Sequence, residues 1–158
     1  FNAAIIKYMR SRYNVLLGER MAERVKIAIA SVDRDAEDAS YEVKGRHLAT
    51  GLPTKVLLTR KELYPVMVEL VGEIRAAVHS VVERTPPELV GDIFTNGMVM
   101  TGGGAMLHGM DVYMSRELKM PVRLAENPVE CVAVGTGLSF QYIDQLVDGF
   151  VASSTHRH

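Results

Sequence analysis

Three glycines in a row, Gly102-Gly103-Gly104, follow the apolar run Met98-Val99-Met100 and precede a segment with helical patterning. That order constrains the chain more than any other stretch. It reads as a strand, a tight glycine loop and a helix from Ala105 to about Leu118. Without Cβ atoms the loop backbone can take positive φ and let a ligand come close. A helix starting there also offers unpaired N–H groups and the positive end of its dipole, which suits a nucleotide. The stretch is not a Walker loop, because no Gly-Lys-Ser/Thr follows at the required distance. It is not the dinucleotide fingerprint, because Leu107 stands where a third glycine belongs. On spacing alone, a strand–helix turn with no ligand reads equally well.

With 158 residues, 47% of them hydrophobic, the chain can bury a core as one domain or two small subdomains. A net charge of −1 with interspersed signs leaves no electrostatic footprint for nucleic acid. The single cysteine, Cys131, rules out an internal disulfide framework and fits a reducing compartment. No apolar run approaches the roughly 18 residues of a membrane span. No secretory leader pattern is read at the start. The chain opens on Phe1 inside a helical pattern, as expected of a piece of a longer protein.

Periodicity divides the chain into elements. Ile5, Met9, Tyr13 and Leu16 share one face of a helix over residues 3 to 16, with Gly18 as its C-cap. A second helix covers Glu19 to Ala30, with Ala22, Val25 and Ile29 inward. Glu23 and Lys26 share a face of it, and an ordinary surface ion pair accounts for that spacing. Asp33 to Asp38 is a solvated acidic loop, without the glycine and spaced ligands of a metal site. Tyr41 and Val43 alternate with charged residues as in a half-buried strand, and Lys55 to Thr59 is a second strand able to pair with it. Thr59 and Glu62 match a capping box opening a long helix to about Arg84. Its apolar face runs from Val66 and Met67 to Val81 and Val82, and Pro65 predicts a kink or a later start. His79, near the apolar edge, is expected to be partly buried. Thr85, Pro86 and Glu88 match a second capping box, for a short helix to about Phe94. Pro121 to Leu124 is a strand. A last helix runs from about Val129 to Leu146, and residues 148 to 158, with His156 and His158, read as a tail. No catalytic triad, metal cluster or Cys/His signature is present in the pattern, and the nine Met residues read as core fillers.

Several stretches in this order and spacing resemble the C-terminal part of MreB, the bacterial actin homologue of the rod shape-determining family. They are Leu17-Gly18-Glu19-Arg20 with Ala22-Glu23-Arg24-Val25-Lys26, Gly45-Arg46 with Gly51-Leu52-Pro53, and Arg84-Thr85-Pro86-Pro87-Glu88-Leu89. Thr101-Gly102-Gly103-Gly104-Ala105, and Glu126-Asn127-Pro128 leading to Cys131-Val132-Ala133 and Gly135-Thr136-Gly137, complete them. Each piece is short, but together they cover nearly the whole chain. The sequence departs from the family at Pro65, at Asn2 (where Asp is usual), at His47 and in the basic tail.

The resemblance implies an α/β, actin-like second-half domain of the ribonuclease H-like/Hsp70 superfamily, partial, with a small α+β outer subdomain. Residues 1–62 would form the outer subdomain and 63–131 the inner, nucleotide-binding one. Residues 132–150 would form a helix crossing to the first half, and 151–158 a tail. By resemblance, Glu23, Arg24, Val25 and Lys26 lie on the adenosine-contacting helix, with Glu23 and Lys26 bordering ribose and base. Gly102, Gly103, Gly104 and Ala105 match the adenine-side loop. Both phosphate loops and the residues activating water lie upstream in the family, so this chain is not expected to hydrolyse ATP alone; the full-length protein would be a slow ATPase with Mg2+ accompanying ATP.

The implied function is that of a filament-forming cytoskeletal protein at the inner face of the cytoplasmic membrane, maintaining rod shape by organising peptidoglycan synthesis. Implied partners are further copies of itself, the cell-wall elongation machinery, a RodZ-like membrane protein, and the membrane itself through the other half. Half of a superfamily ATPase or sugar kinase is the alternative, and a non-nucleotide module with an incidental glycine turn is a third. The adenosine assignment requires Glu23 and Lys26 to face Gly103 across one cleft.

Overall fold

The computed structural model describes residues 1–140, so the expected end of the last helix near Leu146 and the tail with His156 and His158 lie outside the described residues. Helix α1 (Asn2–Tyr13) buries Ile5 and Met9 completely. It stops before the glycine expected to cap it. Asn14 takes the left-handed conformation at φ 56°, its N–H bonded to the Met9 carbonyl, a role Asn fills at low steric cost. The chain then forms strand β1 (Val15–Leu16), which periodicity had merged into the helix. Gly18 is instead the extended N-cap of α2 (Glu19–Ile29), which buries Ala22, Val25 and Ile29 as its pattern requires.

Strands β2 (Ser40–His47) and β3 (Pro53–Thr59) pair antiparallel from Ser40–Thr59 to Arg46–Pro53, and β1 adds to the other side of β2 through Val15–His47 and Leu16–Arg46. Val43 and Leu58 of this three-stranded sheet are fully buried against the helices.

Helix α3 (Arg60–Glu83) opens with the expected capping box: Glu62 N–H donates to Thr59 Oγ1 at 3.3 Å, and Thr59 N–H donates to Glu62 Oε2 at 3.0 Å. Tyr13 of α1 donates its phenol to the other oxygen of Glu62. The helix starts at Arg60 with Pro65 inside it, so the later start does not occur; Pro65 leaves the Lys61 carbonyl without its helical N–H partner. The long apolar face is half used. Leu63, Met67 and Val71 are fully buried, whereas Ile74 and Val81 are 40% and 58% exposed. His79, expected at the apolar edge, is exposed and lies 3.4 Å from Glu83 one turn on.

The second capping box does not form. Pro86 is the N-cap of α4 (Pro87–Asn96), and Thr85 Oγ1 donates back to the Val81 carbonyl at 2.8 Å, finishing α3 rather than starting α4. Strands β4 (Met98–Met100) and β5 (Val122–Leu124) pair in parallel through Met98–Val122, Val99–Arg123 and Met100–Leu124. Between them the expected helix from Ala105 is broken. A 3-10 turn covers Gly103–Met106, and α5 (Met110–Leu118) starts only after Gly109, at φ 77°. The break is caused by a neighbour: the carbonyl of His108 accepts the N–H of Val32 at 2.9 Å, which an α-helix would not allow. Helix α6 (Cys131–Ser139) follows β5. One core runs through both sheets' helices, from Ile5 and Val25 through Met67 to Leu107 and Met114.

The Tyr13–Glu62 contact sets a pH dependence. The tyrosine hydrogen bond holds the Glu62 carboxyl below its ordinary 4.5, so its contribution to stability is complete above that value and is lost as pH falls through the lower folded-state value. The same bond, with burial, raises Tyr13 from 10.0 to about 12, a contribution complete below 10.0 and lost as pH rises towards 12. Tyr13→Phe is expected to cost about 1 kcal/mol at neutral pH and to flatten the stability change just below 4.5. Denaturant unfolding across the acid range checks both.

Candidate functional site

A cleft of about 460 Å³ lies between α2 and the glycine loop. Its first wall is Glu23, Lys26, Ile27 and Ala30, spaced three, four and seven residues on, hence one helical face. The opposite face of α2, Ala22, Val25 and Ile29, is in the core. The second wall is Gly103, Gly104, Met106 and Leu107, with His108 at the end and Val129 on the rim. Glu23 and Lys26 thus face Gly103 across one cleft, as the adenosine assignment requires.

The remaining residues assigned by sequence stand behind or beside it. Val25 is fully buried in the core. Arg24 is on a shallower surface with Asn2, Glu19 and Arg20. Gly102, at φ 84°, turns the chain out of β4 and donates its N–H to the Pro128 carbonyl, while Ala105 N–H closes the turn onto the Gly102 carbonyl at 3.1 Å. These residues shape the walls rather than line them.

The polar end is tightly organised. Lys26 Nζ lies 2.8 Å from Glu23 Oε1 and donates to Oε2 at 2.9 Å; Asn2 Nδ2 donates to Oε2 at 2.7 Å. Lys26, then Asn2, holds the Glu23 carboxyl below the ordinary glutamate value, so it stands ionised as a fixed acceptor. The other wall is bare backbone at Gly103 and Gly104. A Cβ added at Gly103 would meet nothing within 4 Å, and one at Gly104 only the ring of Phe1 at 3.5 Å, so side chains here would project into open space that a ligand can fill. Acceptor and cation at one end, and a flat, side-chain-free wall beside an apolar one, suit a nucleoside. A larger groove of about 590 Å³, between the end of α3, α4 and the end of α5, is lined mainly by apolar side chains such as Val82, Val90, Phe94 and Met120. Among the described residues, its charged lining, Glu83, Glu117 and Lys119 with His79, forms no pair as close as Glu23 and Lys26.

Sequence reasoning missed Ser31 and His108. Ser31 is fully buried, with its Oγ 2.9 Å from His108 Nδ1, and the two residues form a parallel bridge at the end of the cleft that His108 lines. Neither lies in a motif, and only the fold brings them together across 77 positions.

A three-stranded antiparallel unit joined to a glycine loop on a parallel strand pair, with a cleft between, fits the actin-like second-half domain that the sequence resemblance implies. The MreB/Mbl protein family matches residues 1–148. The chain is 43% identical over 146 residues to the cell shape-determining protein Mbl of Bacillus cereus, spanning 92% of this chain and 44% of that protein. It is 42% identical over 144 residues to the cell shape-determining protein MreB of Escherichia coli, spanning 91% and 42%. MreB5 of Spiroplasma citri, solved bound to AMPPNP, superposes with a TM-score of 0.86 at 32% identity, covering 94% of this chain and 44% of that one. The chain belongs to the MreB/Mbl family, and it spans less than half the length of these relatives.

Lys26→Met should release Glu23. Its carboxyl carbon is expected to titrate below the ordinary glutamate range in the unsubstituted protein and to move back up in the variant, read by carbon-13 NMR.

Proposed function

We propose that this chain supplies the nucleoside-holding side of the ATP site in an actin-like, filament-forming cell-shape protein. The observation that carries this reading is the Glu23–Lys26 pair facing the bare backbone of Gly103 and Gly104 across one cleft. Glu23, ionised and held from two sides, accepts hydrogen bonds from the ribose hydroxyls. The Lys26 stem covers one face of the base while its ammonium stays on the carboxylate. The glycine backbone lets the other face lie close. The AMPPNP bound to the Spiroplasma relative supports a nucleotide in a protein of this fold.

The triphosphate and Mg2+ contacts, and the groups that activate water, belong to the part of the relatives this chain does not span. Among the described residues no cluster of three or more metal-ligand side chains occurs. ATP hydrolysis is therefore a property proposed for the full-length protein. Closure of its two halves on the nucleotide would set the fit of each subunit to the next in the filament. The assembly works at the inner face of the cytoplasmic membrane, where it positions the peptidoglycan-elongating machinery and engages a RodZ-like membrane protein. Membrane contact is assigned, by the resemblance, to the other half; no described helix is long and apolar enough to cross a membrane.

High-speed pelleting of the full-length protein with ATP, with ADP and with neither, followed by electron microscopy, tests the whole reading. Nucleotide-dependent paired protofilaments are expected. A protein that stays monomeric in all three and turns over ATP only with a sugar present would move it to the kinase branch. Within the site, Gly103→Val puts a branched side chain where the base lies. It is expected to weaken ADP binding at least about tenfold without loss of melting temperature, since the added atoms meet no protein. Calorimetric titration beside a thermal melt checks it, and unchanged affinity would sink the assignment.

A further inference from the structure

Nine methionines read as core fillers in the sequence, and the fold makes Met106 the exception. We propose that Met106 is a modification site, whose thioether a hydroperoxide oxidises to the sulfoxide, and that the modified side chain weakens binding in the cleft it lines. The first part stands on exposure alone, and the second rests on the proposed nucleotide site.

Met9, Met67, Met110, Met114 and Met120 are buried in the core, and Met21, Met98 and Met100 are partly buried against it. Met106 is 57% exposed. It ends the 3-10 turn Gly103–Met106, whose other residues are two glycines and an alanine, so the turn itself offers no bulky side chain to shield the sulfur. A thioether is oxidised where the oxidant reaches it, which sets this methionine apart from the other eight. In the step, a sulfur lone pair attacks one peroxide oxygen. An S–O bond forms, the O–O bond breaks, and the displaced oxygen takes up the proton and leaves as water or an alcohol. The sulfur is oxidised by an electron pair and the peroxide is reduced by the same pair. Sulfoxide reductases reverse the change, one enzyme for each epimer.

The place of Met106 gives that chemistry a consequence. It lines the cleft with Ile27 and Val129, which are 75% and 63% exposed. Three exposed apolar side chains in one cleft form a surface that gains by being covered. Oxidation puts a polarised S–O group there, an acceptor with no proton to give. Covering the surface then strips water from that oxygen. Ile27 and Val129 carry no side-chain donor to replace it, and the Lys26 ammonium is held on Glu23. An acceptor buried without a partner is destabilising. The oxidised cleft therefore holds a ligand seated against this surface less tightly, while the Glu23 end and the core are untouched.

The test treats the full-length protein with hydrogen peroxide and then with dithiothreitol, which returns Cys131 to the thiol and leaves sulfoxides in place. Peptide mass spectrometry reads each methionine, calorimetric titration reads ADP binding, and a thermal melt reads the fold. Sulfoxide at Met106 is expected to form at least about tenfold faster than at Met110 or Met114. ADP affinity should fall at least about fivefold with it, at an unchanged melting temperature. Sulfoxide reductases A and B together should restore the affinity. Met106→Leu, measured against its own untreated baseline, should lose no affinity on the same treatment. Met110 or Met114 reacting as fast as Met106 overturns the modification site. Complete sulfoxide at Met106 with unchanged ADP affinity, or an equal loss in Met106→Leu, overturns its effect on the cleft. Failure of the untreated protein to bind ADP overturns the nucleotide site and that effect with it, and the order of rates still decides the modification.

Discussion

The crossing of Ser31 and His108 is the constraint on which the cleft depends. Ser31 directly follows the C-cap of α2, and His108 follows the glycine loop, so tying them closes one end of the space between the two walls. Four polar contacts converge there on one buried hydroxyl and one carbonyl, where leaving a buried group unpaired would cost about 1–3 kcal/mol. The next residue makes the approach possible. A Cβ at Gly109 would come within 2.6 Å of Asp33 Cβ and 2.8 Å of Asp33 N, so only glycine lets the two chains pass. Its positive φ then turns the chain into α5, whose Met110 and Met114 pack into the core. The broken helix at Ala105 and the flat glycine wall follow from this crossing.

The cleft is asymmetric in its chemistry. At one end, Glu23 is held by Lys26 and Asn2, and the carboxylate is already paired before any ligand arrives. That arrangement limits what a ligand gains from the charge but removes the cost of ordering the acceptor. Asn2 contributes an amide here rather than a carboxylate. Its amide can donate to Glu23 and reach Glu19 at 3.4 Å, where a second carboxylate could only repel. Its own Oδ1 is buried without a partner, so the amide is committed to its donors.

Much of this was legible in the residues. Helical spacing placed α2 and the buried half of α3, alternation placed β2, and Thr59 with Glu62 gave the start of α3. The failures share a cause. Asn14 ends α1 in a left-handed turn, because Val15 of β1 has a partner 32 positions away, at His47. Thr85 caps backwards, because two prolines leave the N-terminus of α4 little need of its hydroxyl. Ala105 to Leu107 read as helix until His108 is drawn to Val32. In each case a tertiary partner decided between local options of similar energy. The family resemblance grouped eight residues, and the folded chain separates Glu23, Lys26, Gly103 and Gly104, which line one cleft, from Arg24, Val25, Gly102 and Ala105, which do not.

The glycine loop hangs from a ladder of only three residue pairs between two parallel strands, with Val99 half exposed on it. Parallel sheets are ordinarily covered on both faces and need several strands to stand alone. So short a ladder has little stability of its own, and whatever orders it is thermodynamically linked to whatever fills the cleft beside it. A neighbouring strand or subunit that extends the ladder would therefore tighten the ligand, and the ligand would by the same amount favour that neighbour. In a protein that assembles end to end, that reciprocity would let the contents of the pocket be sensed at a surface the ligand never touches.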